Sequence, residues 1–407
     1  MRDSETRAQG GALRTARHGL PATVWLLGVT SLFMDVSSEI VHSLLPLFLV
    51  TGLGASVLAV GLIDGLAEAT ASFAKIFSGA LSDWLGRRKW LAVAGYALSA
   101  LTKPLFPLAA GATDVFWARV LDRLGKGIRG APRDALVADA VDPGQRGAAY
   151  GLRQGLDTLG ALAGPLIAVG LMALFAGDFR AVFWVACGPA VAAVLVLAIG
   201  VREPAPAVRP AGRPRFALRP AEFASLGAGF WALIAALMLL LLPRFSEAFL
   251  LLRAAGLGLG LAFVPLVLAA MNLVAAALSV PAGRRSDRVG RRGLVVAGFA
   301  LLIAAHLVLW LAAAPAAVFL GAALWGAHLG VTQGVLAALI ADLAPPALRG
   351  TAFGVFHMVS GVAVLAGSLG AGALWDAVGP SAVFAAAAAV GAVGLLAFVA
   401  LTAARRP

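Results

Sequence analysis

Acidic side chains recur inside apolar stretches of this chain at spacings that place them on one side of a helix. Glu39 and His42 follow Asp35 by four and seven residues, so at ~100° per residue the three side chains form one stripe on a helix. Asp64 and Glu68 repeat the four-residue spacing. Carboxylates in an apolar medium can carry protons or bind a cation, and Asp35, Glu39 and His42 could instead hold a divalent metal.

Basic side chains that could balance these acids lie on a later apolar stretch. Arg119, Asp122, Arg123 and Lys126 form a second polar stripe, and each charge left in lipid would cost ~3 kcal/mol. The alternative role for Asp35 and Glu39 is a permanent ion pair with Arg119 or Arg123 that only holds helices together. We expect a coupling network around a water-filled cavity, formed by Asp35, Glu39, Asp64, Glu68, Arg119, Asp122, Arg123 and Asp157.

The composition shows what kind of chain must position these charges. Of the 407 residues, 61% are hydrophobic and 13% are charged, whereas a soluble domain carries ~25% charged residues. A water-soluble fold is therefore excluded. The net charge of +12 comes from bases in short loops, which indicates membrane topology and not nucleic-acid binding. Cys187 is the single cysteine, so neither an internal disulfide nor a multi-cysteine metal cluster can form.

Hydropathy predicts twelve membrane spans, and the excess of Lys and Arg on one side predicts that both termini are cytoplasmic. A Pro- and Arg-rich segment divides the chain. The predicted spans are 22–50, 55–79, 91–110, 114–140, 148–175, 179–201, 226–252, 258–282, 293–313, 316–341, 349–372 and 380–403. The predicted organisation is a tail at 1–21, a six-helix bundle at 22–201, a cytoplasmic linker at 202–225, a second bundle at 226–403 and a tail at 404–407.

An internal repeat supports the two bundles. GALSDWLGRRK at 79–89 returns as GRRSDRVGRRG at 283–293, and DAVDPGQRGAAYG at 139–151 returns as DLAPPALRGTAFG at 342–354. At these offsets Glu68 corresponds to Asn272, Asp122 to Trp325, Arg123 to Gly326 and Asp157 to Ser360, so the charges are concentrated in the first half. The candidate substrate ligands are His42, Asn272, His328 and His357.

The repeated loops resemble the signature loops of the major facilitator superfamily, whose members are secondary transporters built from two six-helix halves. The residues that carry this resemblance, and that would form its cytoplasmic gate, are Gly79, Asp83, Gly86, Arg87, Arg88 and Arg146 in the first half and Gly283, Asp287, Arg288, Gly290, Arg291, Arg292 and Arg349 in the second. Trp84 stands where the family usually has a base. Arg119 takes the place of the family's arginine in span four.

Two further stretches resemble the efflux branches of that superfamily. Gly160, Gly164 and Pro165 match the GxxxGP arrangement of antiporters, although Ala168 and Val169 replace its trailing glycine pair. DVSSE at 35–39 and DRLGKGIRGAPRDALVAD at 122–139 are similar to a drug and metal efflux branch that includes bacterial nickel-resistance exporters.

The resemblance implies an all-α membrane protein with two pseudo-symmetric six-helix bundles, working by alternating access. We expect proton-coupled efflux of a small cationic drug or divalent metal across the bacterial inner membrane. The partners are then a small molecule or ion, protons and lipid, with no nucleic acid, no cofactor and no enzymatic activity, in a monomer. Without a Gly-x-x-x-x-Gly-Lys-Ser/Thr loop, this chain does not itself use ATP.

Two alternatives stay open at this point. The excess of bases on span four suggests import or exchange of an anion instead of efflux. A non-transporting sensor or intramembrane enzyme is the other possibility, but the sequence has no HExxH or GxSxG motif and no soluble output domain.

Overall fold

A computed structural model describes residues 20–85, 87–142, 145–203, 226–289, 291–344 and 348–403, with side chains except at 80, 83–85, 287–289 and 349–350. The predicted tails, most of the linker, Gly86 and Gly290 lie outside the described residues. So do the side chains of Asp83, Asp287, Arg288 and Arg349, together with the gating roles expected of them.

The described chain is helical and contains no β-strand. Its helices of nine residues or more are α1 Ala22–His42, α2 Val57–Leu85, α3 Arg88–Thr102, α4 Ala112–Asp139, α5 Arg146–Leu174, α6 Phe179–Leu195, α7 Gly227–Leu241, α8 Ala248–Gly256, α9 Leu266–Val289, α10 Arg291–Leu311, α11 Pro315–Leu343, α12 Arg349–Ala377 and α13 Pro380–Ala403. Short helical turns at Leu45–Leu47, Phe48–Gly52, Leu105–Leu108, Val196–Gly200 and Leu261–Phe263 extend or connect them.

Ten helical segments in the described residues are long and apolar enough to cross a membrane. Two of the twelve predicted spans fall outside that set for different reasons. The α4 helix has the required length, but it carries the charges of the second polar stripe. The span predicted at 226–252 is wrong as a continuous helix, because α7 ends at Leu241 and α8 begins at Ala248. Pro243 lies in the gap, where it removes a backbone donor and blocks the preceding turn.

The interruption between α7 and α8 is stabilised from a neighbouring helix. The Pro243 carbonyl is freed by the break, and the buried His306 Nε2 on α10 lies 3.0 Å from it. An unpaired backbone carbonyl would be costly at membrane depth, so this contact makes the break tolerable. His306 therefore supports the broken helix and takes no part in the cavity described below.

Basic residues are concentrated at one end of the bundle, where α3, α5 and α10 begin at Arg88, Arg146 and Arg291; Arg180 and Arg253 lie at the other end. At the first end, Lys89 Nζ donates to the Ala198 carbonyl at 2.7 Å, and Arg292 donates to the carbonyls of Val399 and Thr402 at 2.9 and 3.1 Å. These bonds place the start of α3 beside the end of the α6 segment, and the start of α10 beside the end of α13. We call this the basic end, and the other end the opposite end.

The two halves repeat the same helix contacts. In the first half α4 packs on α2 and α3, and in the second half α11 packs on α9 and α10. The closest approaches also repeat: a Cβ at Gly127 would lie 2.7 Å from the Ala71 carbonyl oxygen, and one at Gly330 would lie 2.5 Å from that of Ala275. The fold class predicted from the sequence, two pseudo-symmetric six-span halves, is confirmed.

Two seams join the halves, and they are related by the same repeat. The larger seam is formed by α2 and α12, and the smaller by α5 and α9. A Cβ at Gly61 would lie 2.2 Å from the Ser368 carbonyl oxygen, and one at Gly372 would lie 2.7 Å from Leu58 Cα. Toward the opposite end, Asp376 of α12 accepts hydrogen bonds from the first backbone N–H groups of α2, at Val57 and Leu58.

Candidate transport cavity and its charge network

A cavity of about 800 Å³ lies between the two halves. Its walls come from α1, α2, α4 and α5 of the first half and α9, α11 and α12 of the second. They run from the middle of these helices toward the basic end. Beyond the cavity, toward the opposite end, side chains of both halves such as Leu45 and Phe249 share one apolar core. The cavity itself is lined by His357 and by these charged and amide side chains: Asp35, Glu39, Lys75, Lys126, Arg129, Arg133, Asp134, Gln154, Asp157, Glu247, Asn272 and Gln333.

Asp35 and Glu39 of α1 present their carboxylates to this cavity. Both are partly exposed, and neither forms an ion pair or a side-chain hydrogen bond with any residue in the described ranges. The nearby charges that act on Asp35 are those of Asp157, Lys126, Arg129 and Arg133, none of them within ion-pair distance. These two carboxylates are therefore available to water, protons or a bound cation.

The GxxxGP residues of α5 determine where these carboxylates lie. A Cβ at Gly160 would be 3.0 Å from Asp35 Cβ, and one at Gly164 would be 2.5 Å from Glu39 Cβ. Glycine at both positions lets α5 lie directly against the acid-bearing face of α1. The antiporter-like motif and the two carboxylates, found separately in the sequence, are thus one structural unit.

The other acids of the first half are paired. Arg119 Nε lies 3.0 Å from Asp64 Oδ1, Arg123 Nε lies 2.9 Å from Glu68 Oε1, and Lys103 Nζ lies 3.0 Å from Asp122 Oδ1. Asp64, Asp122 and the three bases are almost completely buried, whereas the Glu68 side chain is 39% exposed.

A permanent ion pair of Asp35 or Glu39 with Arg119 or Arg123 is therefore wrong for this structure. The physical reason is helix packing: α4 lies against α2, where Gly127 permits close approach, while the acidic face of α1 is turned to α5. The guanidinium groups consequently reach the acids of α2 first.

Asp157 belongs to a second charged cluster nearer the basic end. Arg153 NH1 lies 2.6 Å from Asp157 Oδ2 and 3.7 Å from Asp134 Oδ1, and Arg133 lies 3.1 Å from Asp134 and 3.8 Å from Asp157. Two acids and two arginines of α4 and α5 thus compensate one another. Asp157 lines the cavity but, unlike Asp35, it is not a free carboxylate.

A third cluster connects the two halves. It lies on the side of the cavity that is farther from the basic end of the bundle. Arg119 NH2 lies 2.6 Å from His42 Nδ1, and Ser246 Oγ donates to Asp64 Oδ2 at 2.8 Å. His42 Nε2 lies 3.8 Å from Glu247 Oε2. Ser246 and Glu247 belong to the interruption between α7 and α8, so the broken helix supplies the polar groups that reach across. We call these five residues the inter-half cluster.

The sequence analysis singled out three members of this cluster, His42, Asp64 and Arg119, as charged or ionisable groups within spans, and it missed Ser246. The available signal was Pro243, which falls in the middle of a predicted span and indicates a break with free polar groups.

The metal site suggested for Asp35, Glu39 and His42 is not formed. Within the described residues, no group of three His, Cys, Asp or Glu side chains could hold a metal ion. Both ring nitrogens of His42 face other groups: its Nδ1 lies 2.6 Å from Arg119 NH2, and its Nε2 lies 3.8 Å from Glu247 Oε2.

The remaining substrate candidates occupy different places. His357 and Asn272 line the cavity, and Asn272 Nδ2 also donates to the Ala161 carbonyl across the α5–α9 seam at 3.0 Å. His328 is completely buried against the Gly298 carbonyl and lies outside the cavity lining. His42 belongs to the inter-half cluster.

The loop arginines form matching contacts in the two halves. Arg88 pairs with Asp139, and Arg291 NH1 lies 2.5 Å from Asp342 Oδ2, at positions equivalent in the repeat. Each pair ties the end of the fourth span of its half to the start of the third at the basic end. Arg87 and Arg146 are exposed, Gly79 packs toward Ala131, and Gly283 lines the cavity.

Comparison with protein families places these features in context. Residues 27–252 and 245–407 match the model of the Major Facilitator Superfamily. An uncharacterized protein of Mycobacterium tuberculosis is 32% identical over 364 residues, which cover 87% of this chain and 86% of that protein. An uncharacterized MFS-type transporter of Methanocaldococcus jannaschii is 36% identical over 150 residues, or 37% of each protein.

Relatives and structures with described substrates are more distant. The multidrug resistance protein MdtH of Photorhabdus laumondii is 32% identical over 156 residues, 38% of each protein. The crystal structure of a nucleoside transporter, NupG, superposes with a TM-score of 0.80 at 13% identity, covering 93% of this chain and 99% of that one. A peptide transporter superposes with a TM-score of 0.76 at 17% identity, over 95% of each chain.

Proposed function

Because this chain belongs to the major facilitator superfamily and is a transporter of a small molecule, we propose that it exports a small cationic compound in exchange for protons. The supporting observation is the division among its acids. Among the residues that the structure describes, Asp35 and Glu39 face the cavity without an ion-pair partner, whereas Asp64, Glu68 and Asp122 are paired with bases. A carboxylate can bind either a proton or a cation, so competition at Asp35 and Glu39 would couple the two fluxes.

The orientation follows from the positive-inside rule. We infer that the basic end faces the cytoplasm of a bacterial inner membrane, which makes this structure open to the inside. Residues 22–201 and 226–403 would rock about the cavity. Opening to the outside requires the inter-half cluster and the cap of Asp376 on α2 to separate, while the halves approach at the basic end.

In this cycle the cation leaves Asp35 and Glu39 when the cavity opens outward and a proton takes its place. The protonated carboxylates let the empty carrier return, and the lower proton concentration inside releases the proton. The relationship to MdtH favours an organic drug over a metal ion as the exported cation. Import or exchange of an anion is the second candidate, favoured by Lys75 and Lys126 in the cavity wall.

The proposal can be tested in proteoliposomes with an imposed pH gradient. The probes are ethidium and tetraphenylphosphonium as organic cations, Ni²⁺ as the metal and p-aminohippurate as an organic anion. A pH-sensitive dye in the lumen reports proton movement. We expect an organic cation to move against the proton flux. Asp35→Asn and Glu39→Gln should abolish this exchange while the protein folds and inserts normally.

Asp114→Asn is the matched control, because Asp114 is an exposed acid at the start of α4 and lies outside the cavity lining. This variant should transport as the unaltered protein does. Normal pH-driven exchange in both α1 variants would contradict the proposed role of the carboxylates. Movement of an anion in the same direction as protons would favour the second candidate.

A further inference from the structure

Lysine is rare in this chain and its placement is unusual. Four of the 32 basic residues are lysines: Lys75, Lys89, Lys103 and Lys126. Lys89 donates to a backbone carbonyl at the basic end, and Lys103 is buried against Asp122. Lys75 of α2 and Lys126 of α4 line the cavity. Neither forms an ion pair or a side-chain hydrogen bond with any residue that the structure describes.

The arginines of the same cavity wall are held in place. Arg129 NH1 donates to Ser99 Oγ at 2.7 Å and its guanidinium stacks on Tyr96, while Arg133 donates to Ser31 Oγ at 3.0 Å and pairs with Asp134. Arginine's planar fork suits such fixed contacts, whereas lysine is a point charge with three donors on a flexible stem. Lys75 and Lys126 are thus the available cations among the described residues that line the cavity.

Available charges of both signs consequently share one cavity of drug-like size. Asp35 and Glu39 supply the negative groups without an ion-pair partner among the described residues, and Lys75 and Lys126 supply the positive groups, all from the first half. The second half contributes Glu247, whose carboxylate lies 3.8 Å from His42, and neutral polar side chains such as Gln333 and Ser279. Leaving an unpaired base inside a membrane protein is costly, and a ligand that pairs with it removes that cost.

We propose that the transported molecule is a zwitterion, whose anionic group binds Lys75 and Lys126 while its cationic group binds the carboxylates of α1. The part of this inference that concerns the cationic group rests on the proposed function. The anionic group, a carboxylate or a phosphate ester, distinguishes this class from simple lipophilic cations. A zwitterion would also account for the observations behind both candidate functions, cation export and anion transport, because one molecule binds the acidic and the basic side chains of the cavity.

The rarity of lysine permits a direct test by chemical footprinting. The full-length protein is placed in nanodiscs made of phosphatidylglycerol, so that no zwitterionic lipid headgroup can compete for the site. Its amines are acetylated with an N-hydroxysuccinimide ester, and the acetylation of each lysine is measured by mass spectrometry. Lys75 and Lys126 should react. Lys103 is the buried internal control, and Lys89 is the reference outside the cavity.

The ligands for this test are a panel of aromatic dipeptides, each supplied as the free zwitterion, the cationic methyl ester and the anionic N-acetyl derivative. The best zwitterion should raise the melting temperature and lower acetylation of Lys75 and Lys126 severalfold, with Lys89 unchanged. Its ester and its acetyl derivative should bind about tenfold more weakly, as expected for loss of a charge-assisted contact. Lys75→Gln and Lys126→Gln should weaken binding of the zwitterion but not of the ester.

Three results would overturn the inference: esters that bind as tightly as zwitterions, lysines that stay reactive in the bound state, or a panel in which no zwitterion binds. Failure of the proposed function looks different. Zwitterions that protect the lysines but move without counter-flow of protons would refute proton exchange and leave the zwitterion site intact. Cationic esters that are exported in exchange for protons would support the proposed function and refute the zwitterion site.

Discussion

Replacing Gly164 by alanine tests how the packing of α5 on α1 holds the cavity carboxylates. The new Cβ would lie 2.5 Å from Glu39 Cβ and 3.0 Å from the Val36 carbonyl oxygen. Carbon atoms in contact prefer ~3.5–4.0 Å, so the two helices must separate by about 1 Å at this level. Because both neighbours belong to the backbone or the root of a side chain, no rotamer change can relieve the clash.

The energetic cost has two opposing parts. Overpacking of this kind typically costs ~1–3 kcal/mol, while alanine in a helix gains ~1 kcal/mol over glycine. Gly170→Ala on the same helix supplies the matched control, since a Cβ there meets nothing within 4 Å. The difference in stability between the two variants isolates the overpacking, and we expect Gly164→Ala to be less stable than Gly170→Ala by ~1–3 kcal/mol.

Thermal unfolding followed by tryptophan fluorescence measures that difference, and pH-driven flux measures its functional consequence. Gly164→Ala should lose most proton-driven exchange, because Glu39 is displaced from its position in the cavity wall. Gly170→Ala should keep it. Equal stability and equal flux in the two variants would refute the conclusion that close contact between α5 and α1 positions the carboxylates.

Other contacts give predictions of the same kind. Arg123→Ala should destabilise the protein by ~3–5 kcal/mol, and adding Glu68→Gln should restore part of that loss in thermal unfolding; strictly additive losses would mean that the two charges act independently. Ser246→Ala removes the bond to Asp64 across the halves, so a cysteine in the cavity should become more accessible from the opposite end. Asp376→Ala should increase this accessibility too, because it removes the cap of α2, and it should lower the free energy of unfolding by ~1 kcal/mol. If accessibility is unchanged in either variant, the contact removed in that variant does not help to close the cavity toward the opposite end.

The repeat and the hydropathy were sufficient to predict the fold, because each half must bury the same faces against the same neighbours. The equivalent pairs Arg88–Asp139 and Arg291–Asp342 illustrate this, since both follow from the repeated loops. The interruption between α7 and α8 was not predicted, because mean hydropathy does not register a single proline within an apolar stretch.

The candidate site was only partly predictable. Helical periodicity groups the charges into stripes on their own helices, but it contains no information on which stripe faces which. The sequence analysis considered Asp35 and Glu39 as partners of Arg123, whereas in the structure Arg123 pairs with Glu68. The choice depends on which helices carry glycine at their closest approach, and that becomes evident only when the helices are assembled.

The seam between α2 and α12 has a consequence for the mechanics of transport. At Gly61 and Gly372 the closest contact is between one backbone and another, whereas at Gly65 and Gly361 the side chains of Leu365 and Ser72 lie in the seam. Interdigitated side chains resist sliding of one helix along another, because they must separate first. Where backbone meets backbone, sliding meets little resistance. At the levels of Gly61 and Gly372, α2 and α12 can therefore shift along one another while the two halves stay in contact.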